Sequence, residues 1–186
     1  MKSIKDMKQL ELGAFICDRL AQTGIEVVLS GGASVSFYTH NKYISKDLDF
    51  IRIDSSGRKE LKAAMTKIGF VEQNRYFRHP DSDFIVEFPP GPPSVGDDLI
   101  DSVIRKKLST GILKVISPTD CVKDRLAGFY HFGDRQSLHQ AILVIKNNNR
   151  VDLNEVERWS RTEGKIIQFK ELLALATPKS KRQFES

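Results

Sequence analysis

Cysteine is scarce in this chain, with two residues, Cys17 and Cys121, among 186. A disulfide framework needs several closely spaced cysteines; these two lie far apart, each inside an apolar helical pattern, so two buried reduced thiols are expected. Long apolar runs are missing as well. None approaches the roughly 18 residues that span a bilayer, and Lys2 and Lys5 flank no apolar stretch of the kind a secretory signal needs. A cytoplasmic protein with no membrane partner is the expectation. The histidines carry no metal-ligand spacing: His79 falls in a turn, and His131 and His139 fall in helical segments. No internal repeat occurs. Gly31 and Gly32 are not followed by Gly-Lys-Ser/Thr, which excludes a Walker loop, and the Rossmann fingerprint is also missing. Excess charge is modest. A net +5 permits an RNA or nucleotide partner without requiring one.

What is present is a globular pattern, 40% hydrophobic, enough for one ordinary domain or two small ones sharing a core. Met7, Leu10, Ala14, Cys17 and Leu20 recur every three or four residues and predict an amphipathic helix over 5–23, with Gly24 as its stop. A strand over 25–29, a short helix over 33–39 and a strand over 47–53 follow. The spacing of Leu61, Ala64, Met65 and Ile68 then predicts a helix over 57–69. Short strands over 71–73 and 76–78, a turn at 79–83 and a strand over 84–88 complete the first block. Pro89, Pro90, Pro92 and Pro93 end it, as a linker or as a loop bordering a cleft. Beyond them come a hairpin (102–108 and 112–116) and a helix entered at Ser117-Pro118 with Val122, Leu126, Phe129 and Tyr130 on its apolar face. Further helices are expected over 134–146, 152–161 and 165–176, before a polar, basic, frayed tail from 177.

Chemistry concentrates in two places. At Val27-Val28-Leu29-Ser30-Gly31-Gly32-Ala33-Ser34 an apolar strand runs into a Gly-Gly turn. Without Cβ atoms, such a turn lets phosphate oxygens approach main-chain N–H groups, and a helix starting near Ala33 would add its N-terminal dipole. At Asp47-Leu48-Asp49-Phe50 two carboxylates share one face of a strand and repel each other unless a cation sits between them. Either half alone is commonplace, since Gly-Gly is usually an ordinary turn and Asp-x-Asp a solvated strand. The order strand, Gly-Gly, short helix, Asp-x-Asp is rarer and reads as a metal-and-triphosphate site. Glu87 interrupts the apolar run 84–88; an ionised carboxylate inside a sheet is costly unless paired or metal-bound, so it stands either on an edge strand facing water or with such a partner.

With Ser30-Gly31-Gly32-Ala33 and Ser45-Lys46-Asp47-Leu48-Asp49-Phe50, the chain resembles the polymerase-beta-like nucleotidyltransferase superfamily, most closely the small bacterial abortive-infection (AbiEii-like) toxin nucleotidyltransferases. A second likeness to that branch covers Pro118 to Leu126 and Asp134 to Leu138. The resemblance implies an α+β fold with a nucleotidyltransferase-type mixed sheet flanked by helices and a smaller helical C-terminal part. It divides the chain into a catalytic core (1–90), a Pro-rich loop and hairpin (91–117), a helical part closing the cleft (118–176) and the tail (177–186). It implies transfer of an NMP from an NTP to an acceptor hydroxyl. Asp47 and Asp49 would hold two Mg²⁺ ions, and Glu87 would act as general base or as a third metal ligand. Ser30, Gly31 and Gly32 would cradle the β- and γ-phosphates, with Ser34 beside them. Lys123 would grip the phosphates, with Arg125 and Arg135 behind it. The acceptor stays open among tRNA, a partner-protein hydroxyl and a small molecule, as does an antitoxin partner. A nucleotide-binding interaction module without catalysis is the alternative of another class.

Overall fold

The computed structural model describes residues 2–90, 94–100 and 102–177. After a 3-10 turn (Ile4–Asp6), helix α1 (Gln9–Ala21) leads to strand β1 (Val27–Ser30), helix α2 (Gly31–Tyr38), β2 (Asp47–Arg52), α3 (Arg58–Lys67), β3 (Val71–Gln73), β4 (Tyr76–Arg78) and β5 (Ile85–Glu87). A small two-stranded ribbon, β6 (Ser94–Val95) and β7 (Asp98–Leu99), precedes the hairpin β8 (Val103–Leu108) and β9 (Gly111–Ile116). Four helices end the described chain: α4 (Pro118–Phe132), α5 (Arg135–Asn147), α6 (Leu153–Thr162) and α7 (Ile166–Ala176). The expected elements are all found, mostly within two residues of their expected bounds; the ribbon was not anticipated. The basic tail beyond 177 and the central Gly-Pro-Pro of the Pro-rich loop lie outside the described residues.

One mixed seven-stranded sheet organises the fold, in the order β3-β4-β5-β2-β1-β9-β8. β2 runs antiparallel to β1 and parallel to β5, and β9 runs parallel to β1. The hairpin, which the expected division set apart from the catalytic core, joins the same sheet as the N-terminal strands. The β2 pattern decides which face is covered. Leu48 and Phe50 are fully buried and lie under Gly13 of α1, so the intervening Asp47 and Asp49 project from the opposite face. α1 covers its side through Leu12, Phe15, Ile16 and Leu20, each stabilised by about 1.5–3 kcal/mol on leaving water.

The helical layer is held by its own core and caps. Tyr130 stacks on Trp159 at 5.5 Å, and its hydroxyl bonds Ser160 Oγ at 2.8 Å. Ser117 caps α4 by accepting the Asp120 N–H at 3.0 Å, and its hydroxyl donates to Asp120 Oδ2 at 2.7 Å, with Pro118 in the first turn. Gly133 closes α4 in the left-handed conformation. Asp134 caps α5 by accepting the Gln136 N–H at 2.9 Å. This layer reaches the sheet through α2: Tyr38 donates its hydroxyl to the Ile116 carbonyl at 2.6 Å, and Ser34 Oγ meets Cys121 Sγ at 3.1 Å. Both cysteines are free and buried, and burial pushes the thiol of each up to about 12.

Candidate active site

Register assembles the acidic row. Ser30 of β1 stands opposite Asp49 of β2, Asp49 opposite Glu87 of β5, and Glu87 opposite Tyr76 of β4. β5 is an interior strand between β4 and β2, so Glu87 is not on a water-facing edge. Its neighbours in sequence, Val86 and Phe88, are buried, and Phe88 packs on Phe50 and Phe77. Glu87 thereby emerges on the face of Asp47 and Asp49. Arg75 Nε lies 3.2 Å from Glu87 Oε1. Asp47 is exposed at the start of β2. Gln9 of α1 pins that start by donating to the Ser45 carbonyl at 2.6 Å and the Asp47 carbonyl at 3.3 Å. Gln9 was not expected among the site residues, because only the fold brings α1 under this loop.

The glycines act differently from the expectation. α2 begins at Gly31, two residues earlier than its apolar pattern suggests, so both glycines form its first turn, where N–H groups lack intrahelical acceptors. Gly31 has φ +59°, and a Cβ built on it would lie 2.1 Å from Asp49 Oδ2. A Cβ on Gly32 would lie 2.9 Å from Ser45 Oγ. The space their missing side chains leave is filled by the protein itself: the Asp49 carboxylate and the Ser45 hydroxyl press against the turn. The two serines are also engaged internally. Ser30 Oγ donates to the Asp49 carbonyl at 3.2 Å, and the fully buried Ser34 donates to the Gly31 carbonyl at 2.7 Å. Both hydroxyls brace the turn, leaving its main-chain amides as the groups suited to phosphate.

Within electrostatic reach of the acidic row, α4 supplies Arg125, expected at the phosphates, and Asp124, to which no role was assigned. Asp124 and Arg125 act electrostatically on Asp49. Arg125 donates Nε and Nη2 to Asp124 Oδ2 at 3.0 and 2.6 Å, and Nη1 to Gln140 Oε1 of α5 at 3.3 Å. Asp49 feels the crowding: its carboxyl is pushed up to about 6, chiefly by burial, with Arg125 opposing and Asp124, Glu87 and Asp47 adding to the rise. Asp124 was missed because an adjacent Asp-Arg on a helix is most often a solvated pair; nothing local distinguishes it.

Lys123 goes elsewhere. It is buried, with Nζ 2.6 Å from Glu155 Oε1, 2.9 Å from Asp98 Oδ2 and 3.9 Å from Asp120 Oδ1. Successive helix residues are turned by about 100°, so Lys123 points to the ribbon and α6 while Arg125, two positions on, turns toward Gln140 of α5 within electrostatic reach of Asp49. Arg135 pairs with Glu171 of α7 at 2.5 Å. Among the basic residues expected at the phosphates, only Arg125 is grouped with the carboxylates.

Among the described residues no three His, Cys, Asp or Glu side chains converge closely enough to hold a metal ion as they stand. The donor type still fits a hard divalent cation: Asp47 and Asp49 share a face, offer oxygen ligands only, and crowd each other in a way that a cation would relieve. Glu87, drawn toward Arg75, stands less available as a ligand.

Comparison with known proteins places this architecture. A crystal structure of an antigenic nucleotidyltransferase-like protein from Paracoccidioides brasiliensis matches 88% of this chain and 93% of its own at 15% identity, with a TM-score of 0.56. The solution structure of the antibiotic-resistance factor ANT(2'')-Ia matches 87% of this chain and 90% of its own at 12% identity and a TM-score of 0.48, too loose a likeness to bear on function. No protein-family profile and no curated protein matches the chain. The fold is nucleotidyltransferase-like.

Proposed function

We propose that the chain is a metal-dependent nucleotidyltransferase that moves an NMP from an NTP to an acceptor hydroxyl. The observation that carries this reading is the row Ser30–Asp49–Glu87, with Asp47 on the same face and the first turn of α2 abutting Asp49. The fold likeness is consistent with it.

The amides of the α2 first turn receive the phosphate tail, where the helix dipole favours negative charge. Arg125 stands across the acidic row and meets the charge that gathers on the leaving pyrophosphate. Mg²⁺ suits the oxygen donors of Asp47 and Asp49, and when bound there it would lower the acceptor's pKa and neutralise phosphate charge. Glu87 takes the proton from the acceptor hydroxyl. The acceptor oxygen forms a bond to the α-phosphorus, the bond from that phosphorus to the pyrophosphate oxygen breaks, and pyrophosphate departs with the electron pair. A tRNA acceptor, a toxin role and an antitoxin partner rest on the sequence resemblance alone.

The test is incubation with each α-labelled NTP, Mg²⁺ and candidate acceptors, following label transfer and pyrophosphate release. Label moving to an acceptor, and failing to move in Asp49→Asn, supports the reading. Mg²⁺-dependent NTP binding with no turnover on any acceptor would favour the non-catalytic module instead.

A further inference from the structure

The sheet face that carries the carboxylates does not end at Glu87. Residues directly opposite one another across a ladder share a face, so the row Ser30–Asp49–Glu87 continues through Tyr76 of β4 to Gln73 of β3. Arg78, two positions beyond Tyr76, and its partner Val71 stand on that face as well. α3 covers the other face of this hairpin, where Arg58 lies over the Phe77 ring at 5.3 Å and pairs with Glu72 at 2.6 Å. The carboxylate face of the hairpin is left open: Val71, Gln73 and Arg78 are exposed and Tyr76 is half-buried.

Two arginines serve this shelf, and they are held differently. Arg75, in the β3–β4 turn, lies over the Tyr76 ring at 4.9 Å, donates Nη2 to the Tyr76 hydroxyl at 2.6 Å and sets Nε 3.2 Å from Glu87 Oε1. Arg78 forms no ion pair among the described residues. With Val71, Gln73 and His79 it lines a hollow of about 390 Å³ to which no carboxylate contributes. Asp81 and Asp83, in the turn after β4, line a different hollow together with Lys5. Arg75 is 71% exposed, and ion pairs at such positions contribute little stability, so an incoming anion can draw Arg75 off Glu87 at small cost. Contact with Tyr76 keeps the guanidinium aligned while it changes partner.

Direction decides what this shelf is for. In-line displacement sets the attacking oxygen and the leaving group on opposite sides of the α-phosphorus. The first turn of α2, suited to the phosphate tail, abuts the Asp49 end of the row. The acceptor side is then the Glu87–Tyr76 end, with Tyr76 about 10 Å from Asp49 at two strand spacings. There Arg75 engages an oxygen of the very carboxylate that has to take the acceptor's proton.

We propose that the β3–β4 shelf is the acceptor site and that it selects a hydroxyl compound carrying a phosphate. Arg75 exchanges Glu87 for that phosphate, Arg78 adds a second positive charge, and Glu87 is freed to accept the hydroxyl proton. A cationic acceptor would meet both arginines as like charges. The acceptor role rests on the transfer reading; recognition of a phosphate by the two arginines does not. The phosphate belongs to a small molecule or to the end of a strand.

The first test measures binding without Mg²⁺ or NTP. NMR of the ¹⁵N-labelled protein follows the Nε–H signals of Arg75 and Arg78 as ribose 5-phosphate, ribose or glucosamine is added. Ribose 5-phosphate is expected to shift both signals, and the other two to leave them in place. The double variant Arg75→Ala, Arg78→Ala should lose at least tenfold in affinity for ribose 5-phosphate, whereas Arg125→Ala should leave the shifts at Arg75 and Arg78 as they are. An RNA hexamer that binds far more tightly than ribose 5-phosphate identifies a strand as the source, and equal affinities identify a small molecule. Shifts confined to the amides of Gly31 and Gly32 would overturn the proposal. So would undiminished binding by a double variant whose thermal unfolding matches wild type. In the transfer assay, Arg75→Ala should raise KM for a phosphate-bearing acceptor at least tenfold and leave KM for NTP and for a neutral acceptor unchanged. An equal rise for the neutral acceptor would make Arg75 merely structural and overturn its role. Shifts at Arg75 without transfer to any acceptor would remove the transfer reading and leave the phosphate site standing.

Discussion

The carboxylate of Asp49 lies against the bare Cα of Gly31, so closely that a Cβ there would sit 2.1 Å from Oδ2. Two independent penalties meet at this position, because Gly31 also has φ +59°. Gly31→Ala should destabilise the protein by about 1–3 kcal/mol and displace Asp49. Urea unfolding and NTP transfer should both register the change. At Gly32 a Cβ would meet Ser45 Oγ at 2.9 Å, which can rotate away, and Ser45 Cβ at 3.0 Å, which must shift slightly, and no positive φ adds to the cost, so Gly32→Ala should cost less in both measurements. Equal effects at the two sites would mean that the Asp49 contact is not what the glycine protects.

Burial and its acidic neighbours hold Asp49 at about 6, above the usual carboxylate value of 3.8. A raised carboxyl favours the protonated folded state. The metal-free protein therefore loses stability as pH rises from about 4 to about 6, and the penalty is complete above that window. Asp49→Asn should stabilise the metal-free protein at pH 7 by about 1–2 kcal/mol, after allowance for solvent screening, and change little near pH 3. Thermal unfolding across pH in EDTA checks this. An Asn variant with the same gain at pH 3 and 7 would remove ionisation as the cause.

Glu87→Gln keeps the side chain's shape and removes its capacity to accept a proton. With Glu87 as general base, NTP binding should stay near wild type while transfer falls by about 10²–10⁴-fold. A parallel fall in both would assign it to the metal instead. Titration calorimetry with Mg²⁺-NTP, set beside pyrophosphate release, separates the two.

Lys123 and Arg125 should part company. Lys123→Met leaves Asp98 and Glu155 without their buried partner and should cost about 2–3 kcal/mol of stability, read by urea unfolding. Its remaining nucleotide affinity should fall equally for NTP and NMP. Arg125→Ala should weaken NTP binding more than NMP binding, as expected of a group facing the phosphate tail. The reverse pattern would return Lys123 to the phosphates.

What the sequence determined by itself is whatever depends on neighbours along the chain. Alternation on β2 placed Asp47 and Asp49 on one face and Leu48 and Phe50 on the other before any partner strand was known, since a strand's side chains alternate by geometry. Helical periodicity, Ser117-Pro118 and Asp134 likewise marked the helices and their starts, because caps and apolar stripes are local signals. Register and helix azimuth are not local. Glu87 meets Asp49 only because β5 pairs beside β2 in that register; the residues of 84–88 alone favour a water-facing edge strand, and only the resemblance carried by the upstream motif set Glu87 with the aspartates. Lys123 and Arg125 lie two positions apart and carry the same charge. Which one faces the carboxylates depends on how α4 is rotated against α2, β7 and α6, a matter of long-range packing. The same holds for Gly31: a Gly-Gly motif does not reveal that a distant carboxylate fills its missing side chain.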